Sequence, residues 1–93
     1  MVIGVCTLRL AIPGSHSLKE KRRALRSVHD GLRQRFNVSA AEVAEQDIWQ
    51  RAVVGIACVS NEQRFCDAVL SKALAWVDGN HRVEVMHVEM EFL

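Results

Sequence analysis

The chain has few aromatic residues and no long apolar segment. It contains no tyrosine, one proline, three phenylalanines and two tryptophans. No apolar run approaches the ~18 residues of a membrane-spanning helix, and the start MVIGVC lacks the basic flank and cleavage site of a secretory signal. Three cysteines without CxxC spacing do not fit a disulfide framework. We therefore expect a cytoplasmic protein with no membrane partner, whose thiols serve as small core side chains.

Motifs for catalysis and metal binding are also missing. The four histidines have no ligand spacing with any cysteine or acid, which argues against a metal site. No nucleophile motif of the G-x-S-x-G kind occurs, and there is no P-loop. We expect a protein that is not an enzyme and holds neither a metal nor a cofactor.

Apolar periodicity predicts four strands and two helices. The strands are expected at 2–12, 37–46, 51–60 and 82–93. The second is the least regular, because its apolar residues change face midway, which indicates a bulge.

Capping signals place the two helices between these strands. The first helix should begin at Ser17, where Ser17 and Glu20 form a capping box, and run to about residue 35. Gly31 inside it indicates close packing or a local weakness. The second helix should be capped by Ser60 or Asn61 and end near a turn that contains a glycine.

The element order β-α-β-β-α-β predicts an α+β fold in a single domain, residues 1–93. With right-handed crossovers, this order gives the ferredoxin-like split βαβ fold, a four-stranded antiparallel sheet with both helices on one face. We expect 2–12 and 51–60 to be parallel central neighbours, with 82–93 beside 2–12.

The opposite face of such a sheet is open, and much of it should be apolar. In the last strand, Met86, Val88, Met90 and Phe92 are expected to face the helices. Val83 and Val85 then join Val5 on the open face. An apolar patch of this kind usually needs cover, which predicts a homodimer with Val5, Val83 and Val85 at its interface.

The first helix carries an unusual concentration of positive charge. Residues 1–35 hold eight Lys or Arg and two acids, whereas residues 36–93 hold four Lys or Arg and nine acids. On a helical projection five bases share one flank beside the buried stripe. We call them the cationic strip: Lys19, Arg22, Arg23, Arg26 and Arg33. The strip indicates a polyanionic partner, unless acids such as Glu84 or Glu89 neutralise it within the molecule or across a dimer.

Two further residues allow more than one interpretation. Lys21 falls inside the buried stripe and should extend its amine past the helix start, where Ser15, Ser17 and free amides could hold a small anion. Trp49 could reach a nucleic-acid base, although a tryptophan there more often closes the edge of the core. The two central strands contain no aromatic residue, so bases should not stack on the sheet.

The motif SLKEKR and the segment RFNVSAAEVAEQDIWQRAVVGIACVS resemble the YlxP-like family, small bacterial proteins classed as a domain of unknown function. The resemblance covers nearly the whole chain and implies a ferredoxin-like fold. It also implies an association with translation, because genes of this family often neighbour genes for translation and ribosome maturation. Among the residues that match, a cap or a core does not explain Lys19, Arg22 and Arg51.

These observations predict an RNA-binding protein, associated with the ribosome or with translation. Its RNA-binding residues are expected to be Lys19, Arg22, Arg23, Arg26, Arg33 and Arg51. One alternative is a homodimeric module whose basic helix meets an acidic protein surface. Another is a domain that binds a small anionic effector at the helix start.

Overall fold

A computed structural model describes all residues 1–93 and contains four strands and two helices. In chain order they are β1 (Val2–Ala11), α1 (Leu18–Arg35), β2 (Ser39–Ala44), β3 (Arg51–Ser60), α2 (Gln63–Asp78) and β4 (Glu84–Phe92). No helix is long and apolar enough to cross a membrane.

The strands form one sheet in the order β2-β3-β1-β4, and every neighbouring pair is antiparallel. This confirms the ferredoxin-like α+β topology. The expectation that β1 and β3 run parallel is wrong. The crossover through α1 makes β2 run in the same direction as β1. The turn after β2 reverses the chain, so β3, which lies between them, is antiparallel to both.

The core lies between the sheet and the two helices. It comprises 18 buried residues, among them Leu8 on β1, Val54 on β3 and Val28 on α1, each 0% exposed. All three cysteines are reduced and buried within it. This confirms that the thiols pack as small apolar side chains.

The predicted start of α1 is confirmed, with one difference in its capping. The Ser17 hydroxyl accepts a hydrogen bond from the Glu20 amide at 3.1 Å. The Glu20 carboxylate accepts from the amide of His16, one residue before the cap. Both bonds give a partner to backbone amides at the start of α1, where amides have no acceptor within the helix.

Helix α2 begins later than predicted. Its cap is Glu62, which makes no side-chain cap hydrogen bond, so the expectation of a Ser60 or Asn61 cap is wrong. The Ser60 hydroxyl instead accepts from the Glu62 amide at 3.5 Å, within the preceding turn. The predicted terminal glycine is Gly79, at the C-cap.

A bulge in β4 overturns part of the predicted face assignment. Arg9 pairs with His87 but Leu10 pairs with Val85, so Met86 is an extra residue without a partner on β1. On the N-terminal side of Met86, each side chain of β4 therefore points to the opposite face of the sheet from the one that uninterrupted alternation predicts.

Val83 and Val85 therefore lie on the helix-covered face, not the open one. Val83 is 4% exposed within the core, and Val85 packs against it. Met86, which was expected to face the helices, is 64% exposed. The predicted placement of Met90 and Phe92 is correct, since both pack against the core. The second bulge, at Val43 in β2, confirms the irregularity expected there.

Candidate nucleic-acid interface

The cationic strip occupies the solvent face of α1. All five of its members are exposed, and four of them together line one shallow depression: Lys19, Arg22, Arg23 and Arg26. None of the four forms an ion pair within 4.0 Å, because the chain's four ion pairs all involve other residues. Glu89, one expected neutralising acid, instead contacts His87 at 3.2 Å. The strip is therefore not neutralised within the chain.

The fifth member, Arg33, is engaged with the sheet. Its Nη2 donates a hydrogen bond to the Ala40 carbonyl of β2 at 2.7 Å. It lies on a second depression of about 370 Å³ between α1 and β2. The lining residues are Arg22, Leu25, Arg26, His29, Asp30, Arg33 and Glu42. Arg22 and Arg26 line both depressions, so they are the centre of the basic surface.

His29 does not add to this charge at neutral pH. Burial lowers the pKa of its imidazole, and the nearby Arg33 lowers it further. Its Nε2 atom is buried and has no hydrogen-bond partner. A neutral ring under the strip leaves the arginines as the positive groups of this region.

Arg51 is not part of the strip. It is the first residue of β3 and pairs with Ala11 of β1, which places it on the open face of the sheet, opposite the helices. Its side chain is exposed, with Nε 4.0 Å from Glu45 Oε2. The structure thus brings five of the six predicted RNA-binding residues together and separates Arg51 from them.

Lys21 is turned inward, contrary to prediction. It is 1% exposed, and its Nζ lies 2.8 Å from Glu42 Oε2 on β2. The same Nζ donates a hydrogen bond to the Glu45 carbonyl at 2.6 Å. Although Glu42 Oε2 receives no well-aligned hydrogen bond, the ion-pair distance is short. The ammonium group is therefore occupied by the chain itself and cannot hold an anion at the helix start.

The two serines expected to assist Lys21 are also engaged. The Ser15 hydroxyl, in a residue only 2% exposed, donates to the Ser17 carbonyl at 3.1 Å. The Ser17 hydroxyl caps α1. The Lys21–Glu42 pair was missed from the sequence, although the position of a lysine inside an apolar stripe is a signal that it needs a buried anion.

Trp49 is exposed rather than buried in the core. It lies in the loop of residues 45–50 between β2 and β3 and is 52% exposed. The interpretation that it closes the edge of the core is therefore wrong. Trp76 is the tryptophan that packs inside the molecule, against Gly31 of α1.

The open face of the sheet retains an apolar centre. Val5 lies there on β1, and a shallow depression of about 260 Å³ runs from it across β3 to Val43 on β2. Val43 is 55% exposed and Val59 is 62% exposed. Of the three predicted interface residues, only Val5 is on this face.

Comparison with known proteins gives a consistent family. A family model described as "Protein of unknown function (DUF503)" matches residues 3–90. A protein of Bacillus subtilis (strain 168), described as "Uncharacterized protein YlxP", is 36% identical over 83 residues. That alignment covers 89% of this chain and 90% of the relative. The chain therefore belongs to the DUF503 family, as its resemblance to YlxP-like proteins indicated.

Proposed function

We propose that this protein is a non-enzymatic factor that binds structured RNA through phosphate contacts along α1. The observation that supports this is the group of four exposed cations without an acidic partner: Lys19, Arg22, Arg23 and Arg26. Their mutual repulsion costs free energy in the isolated protein, and a polyanion relieves it.

A helix suits phosphate recognition because it holds the cations at fixed spacing. Lys19 and Arg26 are seven residues apart, which is about 10 Å along the axis. The strip begins in the first turns of α1, where the positive end of the helix dipole also favours anions. Each phosphate contact releases condensed counterions, so binding should weaken steeply with salt.

The open sheet face is a poorer site for RNA. Neither β1 nor β3 contains an aromatic residue on which bases could stack. Its edge strand β4 carries Glu84, Glu89 and Glu91, which repel phosphates. Both features favour α1 as the RNA-binding surface.

The ribosome and translation are the proposed setting of this binding. The support is what the resemblance to YlxP-like proteins implies, namely that genes of such proteins often neighbour genes for translation and ribosome maturation. Three buried free thiols fit the reducing cytoplasm in which ribosomes act. Ribosomal RNA offers the duplex segments that a strip of phosphate-binding residues recognises by backbone and shape.

The second candidate is a homodimeric interaction module whose α1 meets an acidic protein surface. The apolar depression at Val5 and the exposed Val43 and Val59 support self-association through the open face. The two candidates predict different ligands for the same strip.

Titration of a duplex-containing RNA hairpin at several salt concentrations tests the proposal. The variant is Arg22→Glu with Arg26→Glu, which reverses two charges at the centre of the strip. Its matched control is Lys72→Glu with Arg82→Glu, the same charge change at two exposed residues outside the strip that form no ion pair. Arg64 is unsuitable as a control because it pairs with Glu62 at 2.6 Å.

The strip variant should lose binding, while the control should keep most of it. Each phosphate contact removed should flatten the log–log salt slope by about 0.7 to 0.9. Equal weakening in both variants would mean attraction by net charge alone and would refute the role of the strip. Wild-type protein that binds no RNA, but retains an acidic protein through α1, would support the second candidate.

A further inference from the structure

The loop of residues 45–50, which we call the tryptophan loop, is held at both ends by other parts of the chain. At its start, the Glu45 carbonyl accepts a hydrogen bond from Lys21 Nζ at 2.6 Å. At its end, the Gln50 carbonyl accepts from the Ile12 amide at 2.8 Å. The Gln50 side chain donates to the Ser15 carbonyl at 3.1 Å. These bonds fix the loop to α1 and to the segment that precedes it.

The backbone inside the loop is constrained as well. Glu45 has φ 59°, the left-handed region that a residue with a side chain seldom adopts. The Ile48 amide donates to the Glu45 carbonyl at 3.1 Å and closes a turn. Backbone strain of this kind persists only where surrounding contacts impose it, and it is concentrated at functional sites.

This anchored loop leaves its largest side chain in solvent. Trp49 is 52% exposed and is the most exposed aromatic residue of the chain. In a flexible loop, exposure of a tryptophan would not by itself indicate a binding role. An indole held out by a fixed backbone loses little entropy on binding, which is the property of residues that dominate binding interfaces.

The tryptophan loop lies beside the beginning of the cationic strip. Ser15, which Gln50 contacts, is two residues before the cap of α1. Lys21, which contacts Glu45, lies between Lys19 and Arg22 in sequence, although its side chain points toward the sheet and theirs point to solvent. Both contacts lie at the start of α1, where the strip begins, but no hydrogen bond or ion pair joins the loop to a strip residue. A polyanion must therefore extend past the helix start to reach the tryptophan loop.

We propose that Trp49 stacks against an unpaired base of the RNA whose phosphates contact the cationic strip. Asp47, exposed in the same loop, repels a phosphate from this position and leaves the uncharged indole for a base. Stacking on an aromatic side chain accepts any base. The preferred ligand is then a duplex with an unpaired nucleotide at its end or in a bulge, rather than a continuous duplex.

This inference rests on the proposed RNA-binding function and has a test of its own. The probes are an RNA hairpin with one unpaired adenosine in its stem and the same hairpin fully paired. Trp49→Ala should weaken binding of the bulged hairpin by about tenfold and leave the paired one almost unchanged. Trp49→Phe should keep most of the preference. Phe65→Ala, which removes the 47% exposed aromatic residue of α2, is the matched control and should change neither.

Tryptophan fluorescence gives a second measurement, which reports on stacking in proteins that still bind the RNA. The bulged hairpin should quench wild-type emission more than the paired hairpin does, and Trp49→Phe should abolish the difference, because Trp76 is packed against Gly31. Equal affinities and equal quenching for both hairpins would overturn the stacking role. If the strip variant still loses binding in that case, the proposed function stands without it. If wild-type protein binds neither hairpin, both proposals fail.

Discussion

A single lysine connects the basic helix to the rest of the molecule. Lys21 lies among arginines that face solvent, yet its ammonium is buried against Glu42 and the Glu45 carbonyl. A buried charge is tolerated only when it is paired and hydrogen-bonded. The role of Lys21 is therefore structural: its ammonium joins α1 to β2 and to the tryptophan loop.

We expect Lys21→Met to lower the free energy of unfolding by about 3 kcal/mol, because it leaves the Glu42 carboxylate partly buried without its cation. The value lies at the low end of the range for buried pairs, since the Glu42 side chain keeps 19% exposure. Urea denaturation measures the change.

The double variant Lys21→Met with Glu42→Gln controls for the loss of the pair as a whole. It should recover part of the lost stability, since no unpaired charge remains. If the effects of the two single substitutions simply add in the double variant, the two side chains do not interact and the contact contributes nothing to stability.

The thiol of Cys58 makes stability depend on pH in the alkaline range. Burial, together with a hydrogen bond to Cys66, raises its pKa from 9.0 to about 11. Unfolded chain releases this proton at lower pH than folded chain does. The contribution to stability is thus complete below about pH 9 and is lost as the pH rises toward 11.

Urea unfolding of wild type and Cys58→Ala at several pH values tests this. Both proteins should lose stability at alkaline pH, since burial also raises the pKa of the Cys6 thiol, but wild type should lose more. Parallel curves would show that the Cys58 thiol does not resist ionisation in the folded protein.

The two helices pack closely because α1 contains a glycine where it faces α2. A Cβ atom at Gly31 would lie 2.2 Å from Cη2 of Trp76. The guanidinium of Arg35 covers the same indole at 4.8 Å. Of the two explanations for a glycine inside the helix, close packing is therefore correct.

Gly31→Ala should destabilise the protein despite the better helix propensity of alanine. Propensity alone would add about 1 kcal/mol, whereas forcing a methyl group into the Trp76 ring costs about 1–3 kcal/mol. Thermal unfolding measures the net loss. Adding Trp76→Leu should make the alanine substitution less harmful. An increase in stability from Gly31→Ala alone would mean that the indole moves aside freely.

Elements with regular periodicity were predictable from sequence, whereas only one of the two bulges, that in β2, was anticipated. Strand β3 and helix α1 begin and end within a residue of prediction because alternation and a capping box mark them. In β4 the apolar residues change from odd to even positions at Val85 and Met86, which is where the bulge lies. Treating the strand as uninterrupted placed Val83 and Val85 on the open face instead of in the core. The strip was predictable because the helical period fixes its angles. The inward turn of Lys21 was not, since it depends on Glu42 of another element.

At the scale of the molecule, the two faces can serve different partners at once. Both helices cover one side of the sheet, and the apolar centre around Val5 and Val59 lies on the other. A dimer through the open faces would leave both copies of α1 on opposite outer surfaces. Self-association and RNA binding are therefore compatible, and two strips per dimer would raise the apparent affinity for a large RNA through multivalency.

We expect the protein to be a dimer at about tens of micromolar, the range for a modest interface. Val85→Lys cannot test this, because Val85 packs against the core. Val5→Lys can, since Val5 lies on the open face opposite Glu91 of β4, where a lysine gains an oppositely charged neighbour in the monomer. It should yield a folded monomer in sedimentation velocity, with circular dichroism like that of wild type. Phe65→Lys, on the exposed side of α2, is the control and should remain dimeric. A wild-type protein that sediments as a monomer at these concentrations would contradict the predicted dimer. It would not bear on the RNA-binding proposal, which the hairpin titrations test separately.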